Sequence, residues 1–248
     1  QKHKKDKALF HEILYFVGLL TNNVLKLNVS LIKRYNMKAY YKIFLLLPTI
    51  GLLLTSFTRG DKDPKPLKIG KSAPKKELAM VGVDGNSRSL NDCKGGNGLL
   101  VIFSCNTCPF VVGTDQFAGW EVQYNDMNKI ATANTIGMVL INSNEAKREG
   151  DDSMDAMKIR AREKAYNMHY LLDKDSELAN AFGAKTTPHV YLFDKDMKLV
   201  YTGSIDNSWD SKRTEDTAYL KSALEQLGKG EKITENNTAP RGCSIKRK

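Results

Sequence analysis

Nowhere in these 248 residues do about 20 apolar residues run without a break, the length a bilayer-spanning helix needs. No internal repeat is visible either, which sets aside solenoid and propeller architectures. Cysteine is scarce, with four in the whole chain. A folded part of about 170 residues can bury a sizeable core without disulfide help. One-sided charge is also missing from the bulk of the chain. Of the net +10, residues 1–58 supply +7 through nine Lys/Arg against two acids, and the rest holds 29 basic and 26 acidic residues. A nucleic-acid partner is therefore not expected.

What is present begins with a leader at 1–58. Met37-Lys38-Ala39-Tyr40-Tyr41-Lys42 is a short basic start, and an apolar core broken by Pro48 and Gly51 follows over 43–54. Ser56-Phe57-Thr58 then offers small residues for cleavage. This is the layout of an export signal, with an uncleaved membrane anchor as the alternative. Residues 1–36 precede Met37 and read as an upstream translation, which N-terminal sequencing of the expressed protein would test. An exported chain meets an oxidising compartment, periplasmic or secreted, where a cysteine pair can be structural, catalytic or both.

Residues 59–76, rich in Lys, Asp and Pro, read as a linker. A domain is expected over 77–230, with a basic tail at 231–248. Strands are expected at 79–83, 87–90, 99–103, 135–142 and 169–172, and as a hairpin at 190–193 and 198–202. Helices are expected over 109–133, although Gly113 and Gly119 weaken it, from Asp152 or Ser153 to 167, over 176–182, and over 215–227. This alternation implies an α/β fold with a mixed sheet flanked by helices. Met154 and Met157 read as packing rather than metal ligands.

The most informative feature is Cys105-Asn106-Thr107-Cys108. It follows the apolar run Leu99-Leu100-Val101-Ile102-Phe103 and precedes Pro109, a residue suited to a helix's first turn. The pair thus sits where a strand hands over to a helix, and backbone N–H groups there stabilise a thiolate. Cys105, at the helix cap, is expected to be the exposed nucleophile and Cys108 the deeper, resolving thiol. Closing so small a loop constrains little unfolded-state entropy, which argues against a stapling disulfide.

Together with Thr187-Pro188 ahead of a hairpin, these residues resemble the thioredoxin fold, and within it the redoxin or peroxiredoxin-like proteins. Ile141-Asn142-Ser143-Asn144, Tyr170-Leu171-Leu172-Asp173, the stretch from Leu199 to Asp206, and Gly242-Cys243-Ser244-Ile245-Lys246 support the likeness, which covers residues 77–248. The resemblance implies thiol–disulfide oxidoreductase activity through a redox-active Cys105/Cys108 disulfide. It implies a cis Thr187–Pro188 bond lying against the cysteines, with the backbone before the proline free to pair with a substrate chain. It also implies disulfide- or dithiol-containing protein substrates, an electron donor, and no cofactor. Two departures stand out. Asn106-Thr107 offers no charge between the cysteines, and Leu99 occupies the place of the buried acid six residues before the motif in thioredoxins.

Two rivals remain. In a thiol-dependent peroxidase, Cys108-Pro109 would match the end of the peroxidatic pattern, but Cys105 stands where that pattern has Thr. In a copper- or zinc-binding module, His189 or His169 would join the CxxC, although the usual copper spacing is one residue longer. Cys93 and Cys243 could pair, act as resolving thiols or stay free, with a structural or idle role preferred. Lys246, Arg247 and Lys248 read as a solvated end. Asn28-Val29-Ser30 and Asn236-Asn237-Thr238 match the glycosylation triplet.

Overall fold

The computed structural model describes residues 65–248. The leader, and with it the export signal, the alternative start at Met37 and Asn28, lies outside the described residues. Among those residues no helix is long and apolar enough to cross a membrane.

Strand β3 (Gly98–Ser104) is buried along its whole length. Alternate side chains of a strand point to opposite faces, so a continuous apolar run needs cover on both sides. Leu99, Val101 and Phe103 enter one core layer with Val139, Ile141, Tyr191 and Phe193. Leu100 and Ile102 enter the other, with Trp120, Tyr124, Met138, Leu140, Leu220 and Leu224. Around β3 a seven-stranded sheet forms in the order β2-β1-β5-β4-β3-β7-β8. It is built from β1 (Met80–Gly82), β2 (Ser87–Arg88), β4 (Ile136–Asn142), β5 (His169–Leu172), β7 (His189–Asp194) and β8 (Leu199–Gly203). β3, β4 and β5 are mutually parallel, while the pairs β3–β7 and β7–β8 on one side and β5–β1 and β1–β2 on the other are antiparallel. The expected mixed α/β sheet is what forms.

The helices are α1 (Leu90–Cys93), α2 (Pro109–Val112), α3 (Tyr124–Ala133), α4 (Met154–Glu163), α5 (Glu177–Phe182) and α6 (Tyr219–Gly228). Ser153 caps α4, its hydroxyl accepting the Ala156 N–H at 3.2 Å. The single helix expected over 109–133 is broken. Gly113 and Gly119 both have positive φ, where a side chain would be strained, and α2 stops at Gly113. Phe110, Phe117 and Trp120 fill the break as an aromatic cluster, with Trp120 fully buried.

Two further expectations need correcting. Residues 65–76 are no linker but line the sheet edge. Leu67 N–H donates to Phe182 O at 2.9 Å, Gly70 N–H to Leu199 O at 2.8 Å and Ala73 N–H to Met197 O at 2.8 Å. Leu67 and Ala73 belong to the core layer beneath. Their apolar side chains are spaced between lysines and prolines, so mean composition hides them. The tail at 231–248 packs on the domain, and of the expected solvated end Lys246 and Lys248 are exposed while Arg247 is half-buried. Ile233 and Ile245 are buried. Strand β9 (Cys243–Ser244) pairs antiparallel with β6 (Thr186–Thr187) in a second, two-stranded sheet. Arg241 stacks its guanidinium over Trp209, 4.3 Å from the ring centre. Arg247 donates to Asn180 Oδ1 at 2.7 Å and to the Ala184 carbonyl.

Candidate active site

Cys105 leaves the end of β3, and Cys108 is the N-cap of α2. Thr187 closes the site from β6, and the Thr187–Pro188 bond is cis. The two sulfurs converge on this one residue. Cys105 Sγ lies 3.1 Å from Thr187 Oγ1, and Cys108 Sγ donates to the Thr187 carbonyl at 3.0 Å. The structure therefore brings together all four residues singled out in the sequence: Cys105, Cys108, Thr187 and Pro188.

The expected division of labour between the cysteines does not match this geometry. Cys105 is 3 % exposed and Cys108 4 %, so neither is an open nucleophile. The helix after the motif has four residues, too few for a strong dipole. Individual N–H donors take its place. The Cys243 N–H points at Cys108 Sγ from 3.3 Å, and the Phe110 N–H also donates to that sulfur. The neighbouring Cys105 thiol and these donors hold the Cys108 thiol below the usual range, against the opposing effect of burial. The Thr187 carbonyl favours a protonated Cys108, but one acceptor faces several donors. Cys105 is pushed up, first by its contact with Cys108 and then by burial.

A buried acid is present after all, reached from another element. Asp152, just before the cap of α4, is fully buried. It accepts from the Asn106 N–H at 2.9 Å, Asn142 Nδ2 at 2.7 Å and Asn144 Nδ2 at 2.9 Å. Asn106 also donates to Asp151 O and accepts from Tyr170 OH at 3.0 Å. The residue between the cysteines that offers no charge is therefore the one clamped in place. The negative charge of Asp152 adds to the upward push on Cys105. Sequence reading missed Asp152 beyond its capping role. The signal was there in the polar run Asn142-Ser143-Asn144 at the end of a buried strand, which needs buried partners.

The remaining candidates fall away from the sulfurs or towards them. His189 is buried between Tyr191 OH and Thr202 Oγ1, each at 3.4 Å, and burial lowers its pKa to about 3. His169 sits on an exposed position of β5. Among the described residues no group of three or more His, Cys, Asp or Glu is placed to hold a metal. Cys93 is buried on α1, in the layer with Leu99 and Val139, and burial raises its thiol to about 11. Cys243, in contrast, packs on the cluster of Cys105, Cys108 and Val111. A cavity of about 480 Å³ lies beyond His189, between residues 66–69 and 237–240, and no cysteine lines it.

The Redoxin family profile matches residues 68–220. An uncharacterized conserved protein from Geobacillus kaustophilus is 34 % identical with a TM-score of 0.65, over 73 % of this chain and 93 % of that one. A hypothetical protein, SMc02350, from Sinorhizobium meliloti 1021 is 26 % identical with a TM-score of 0.65, over 74 % of this chain and 97 % of that one. No curated protein matches the sequence.

Proposed function

This chain belongs to the redoxin family, and on that footing we propose that it is a thiol–disulfide oxidoreductase working through Cys105 and Cys108. The observation that carries the proposal is the convergence of both sulfurs on Thr187, beside cis Pro188. The Cys108 thiolate attacks one sulfur of a substrate disulfide, forming a mixed disulfide and releasing the other sulfur as thiolate. Cys105 then gives up its proton and attacks Cys108 Sγ. The Cys105–Cys108 bond forms, the bond to substrate breaks, and the substrate leaves as a dithiol two electrons richer. Read backwards, the same steps oxidise a dithiol. The substrates are disulfide- or dithiol-bearing proteins, and an external thiol donor resets the pair. The order of attack reverses the sequence expectation because the N–H donors gather on Cys108.

The test is a trapping experiment with oxidised glutathione. With Cys105→Ser combined with Cys243→Ser, so that no neighbouring thiol can resolve it, a glutathione adduct should be captured on Cys108, and Cys108→Ser should be at least tenfold slower to react. Turnover by Cys108→Ser at the wild-type rate would overturn the reading. The leader supports export to the periplasm or beyond, with a membrane tether through 37–58 if it stays uncleaved. N-terminal sequencing of the protein recovered from each compartment tests that part.

A peroxidase is the second reading, favoured by one observation: a Cys108 with N–H donors aimed at its sulfur and Pro109 next to it. One peroxide plus the two thiols would give two waters and the Cys105–Cys108 disulfide. Consumption of hydrogen peroxide with dithiothreitol as donor distinguishes it from disulfide reduction.

A further inference from the structure

The tail brings a third cysteine to the pair, and its backbone path leaves little freedom in where that thiol sits. In the β6–β9 register Cys243 lies opposite Thr187, the residue on which the other two sulfurs converge. Its N–H also points at Cys108 Sγ, at 3.3 Å. On one side, the tail is held by Ser204 Oγ donating to Ala239 O at 2.8 Å. On the other, Ile245 N–H donates to Lys185 O at 3.0 Å, and Lys246 N–H to Asn144 Oδ1 at 2.9 Å. Gly242 is required by this path. A Cβ there would stand 2.2 Å from the Thr187 carbonyl oxygen, which only a residue without a side chain avoids. Cys243 is half-buried against Cys105, Cys108 and Val111, and all three cysteines are free thiols here. Cys108 therefore stands between two thiols, one from its own motif and one from the chain's end.

We propose that Cys243 is a third redox cysteine, which competes with Cys105 for Cys108, so that the chain has two alternative disulfides. The inference rests on the oxidoreductase reading of Cys105 and Cys108. Starting from the Cys105–Cys108 disulfide, Cys243 loses its proton and its thiolate attacks Cys108 Sγ. The Cys108–Cys243 bond forms and the Cys105–Cys108 bond breaks. Cys105 departs with the electron pair and takes up the proton. No net oxidation occurs, since the oxidising equivalent moves from the motif to the tail and Cys105 is returned as a thiol. Burial and the neighbouring Cys108 sulfur both raise the Cys243 thiol, which keeps it protonated until that exchange.

The experiment uses the full chain oxidised with diamide, blocked with iodoacetamide, run as monomer and digested with trypsin. Cys105 and Cys108 fall in one peptide, 95–129, and Cys243 falls in another, 242–246. A Cys105–Cys108 disulfide stays within the first peptide, whereas a bond to Cys243 joins the two. The joined peptide is expected from the wild-type monomer, should rise severalfold in Cys105→Ser, where Cys108 has no other near partner, and should vanish in Cys243→Ser. If the wild type yields the internal Cys105–Cys108 disulfide but no joined peptide, under a glutathione buffer as well as diamide, this proposal fails and the oxidoreductase reading stands. If neither disulfide forms in the wild type, both fail. The wild-type digest decides the matter even if Cys105→Ser misfolds.

Discussion

His189 follows the cis proline directly, and its environment sets a pH dependence that can be worked out in advance. The imidazole is buried, its ring nitrogens face Tyr191 OH and Thr202 Oγ1, and burial alone lowers its pKa from 6.5 to about 3. In the folded chain it is therefore neutral down to about pH 3, while in the unfolded chain it binds a proton below about pH 6.5. The unfolded state then holds more protons, so stability rises with pH and falls as pH is lowered through this window. At pH 5 the folded histidine has barely begun to protonate, and the loss is set almost wholly by the unfolded pKa. Between pH 7 and pH 5 it comes to about 2 kcal/mol, equivalent to the unfolded chain being protonated about thirtyfold more often than not. The buried carboxylates and His169, exposed on β5, are common to wild type and variant, so the comparison isolates His189. Urea denaturation of wild type and His189→Gln at both pH values measures the difference. The wild type should lose about 2 kcal/mol more than the variant on going from pH 7 to pH 5. Equal losses, or a His189 pKa near 6.5 by NMR, would refute the reasoning. They would also return His189 to the set of plausible metal ligands, since an imidazole that protonates freely is one that solvent can reach.

Gly242→Ala should force β9 away from Thr187, raising the alkylation rate of Cys108 at least tenfold at pH 7 while the far-UV spectrum is retained; an unchanged rate would mean that the tail does not cover the pair. Asp152→Ala should cost about 2–4 kcal/mol in urea denaturation, because the Asn106 N–H and the Asn142 and Asn144 amides lose a buried acceptor. The same change removes a negative charge near Cys105, so thiolate absorbance at 240 nm should show Cys105 titrating at lower pH, whereas a pure packing role would leave that titration unmoved. Leu100→Ala, at a fully buried position of β3, should cost about 2–5 kcal/mol with little change in thiol titration.

Much of this fold was legible because its strongest signals are local. β3 is a short apolar run between Gly95-Gly96 and the motif, β5 begins at His169 and ends at Leu172, and Gly183 ends α5 in the left-handed conformation, as the residue pattern indicates. Cys105, Cys108, Thr187 and Pro188 were legible through residue type and order. What the sequence concealed depends on contacts between distant segments. Leu67 and Ala73 join the core from a stretch whose lysines and prolines dominate its composition. Asp152 reaches the motif at the Asn106 N–H from before α4, held by Asn142 and Asn144, which no spacing rule connects to Cys105. The tail looks like a charged end because Lys246 and Lys248 face solvent, yet the backbone between them and Gly242 is bonded to β6 and to Asn144 and Ala146.

Thr187 connects these non-local pieces. Its hydroxyl meets Cys105, its carbonyl meets Cys108, and its strand pairs with Cys243. A substrate chain that pairs with the backbone before the proline would need the edge that β9 occupies, so a protein disulfide has to displace the tail, whereas a small disulfide or a peroxide has only to reach Cys108. The hold on the tail also changes with redox state. In a Cys105–Cys108 disulfide, the neutral Cys108 sulfur is a weaker acceptor for the Cys243 N–H than a thiolate. Oxidation thus weakens the contact that lays β9 against the motif at the step when a new thiol partner must approach Cys108.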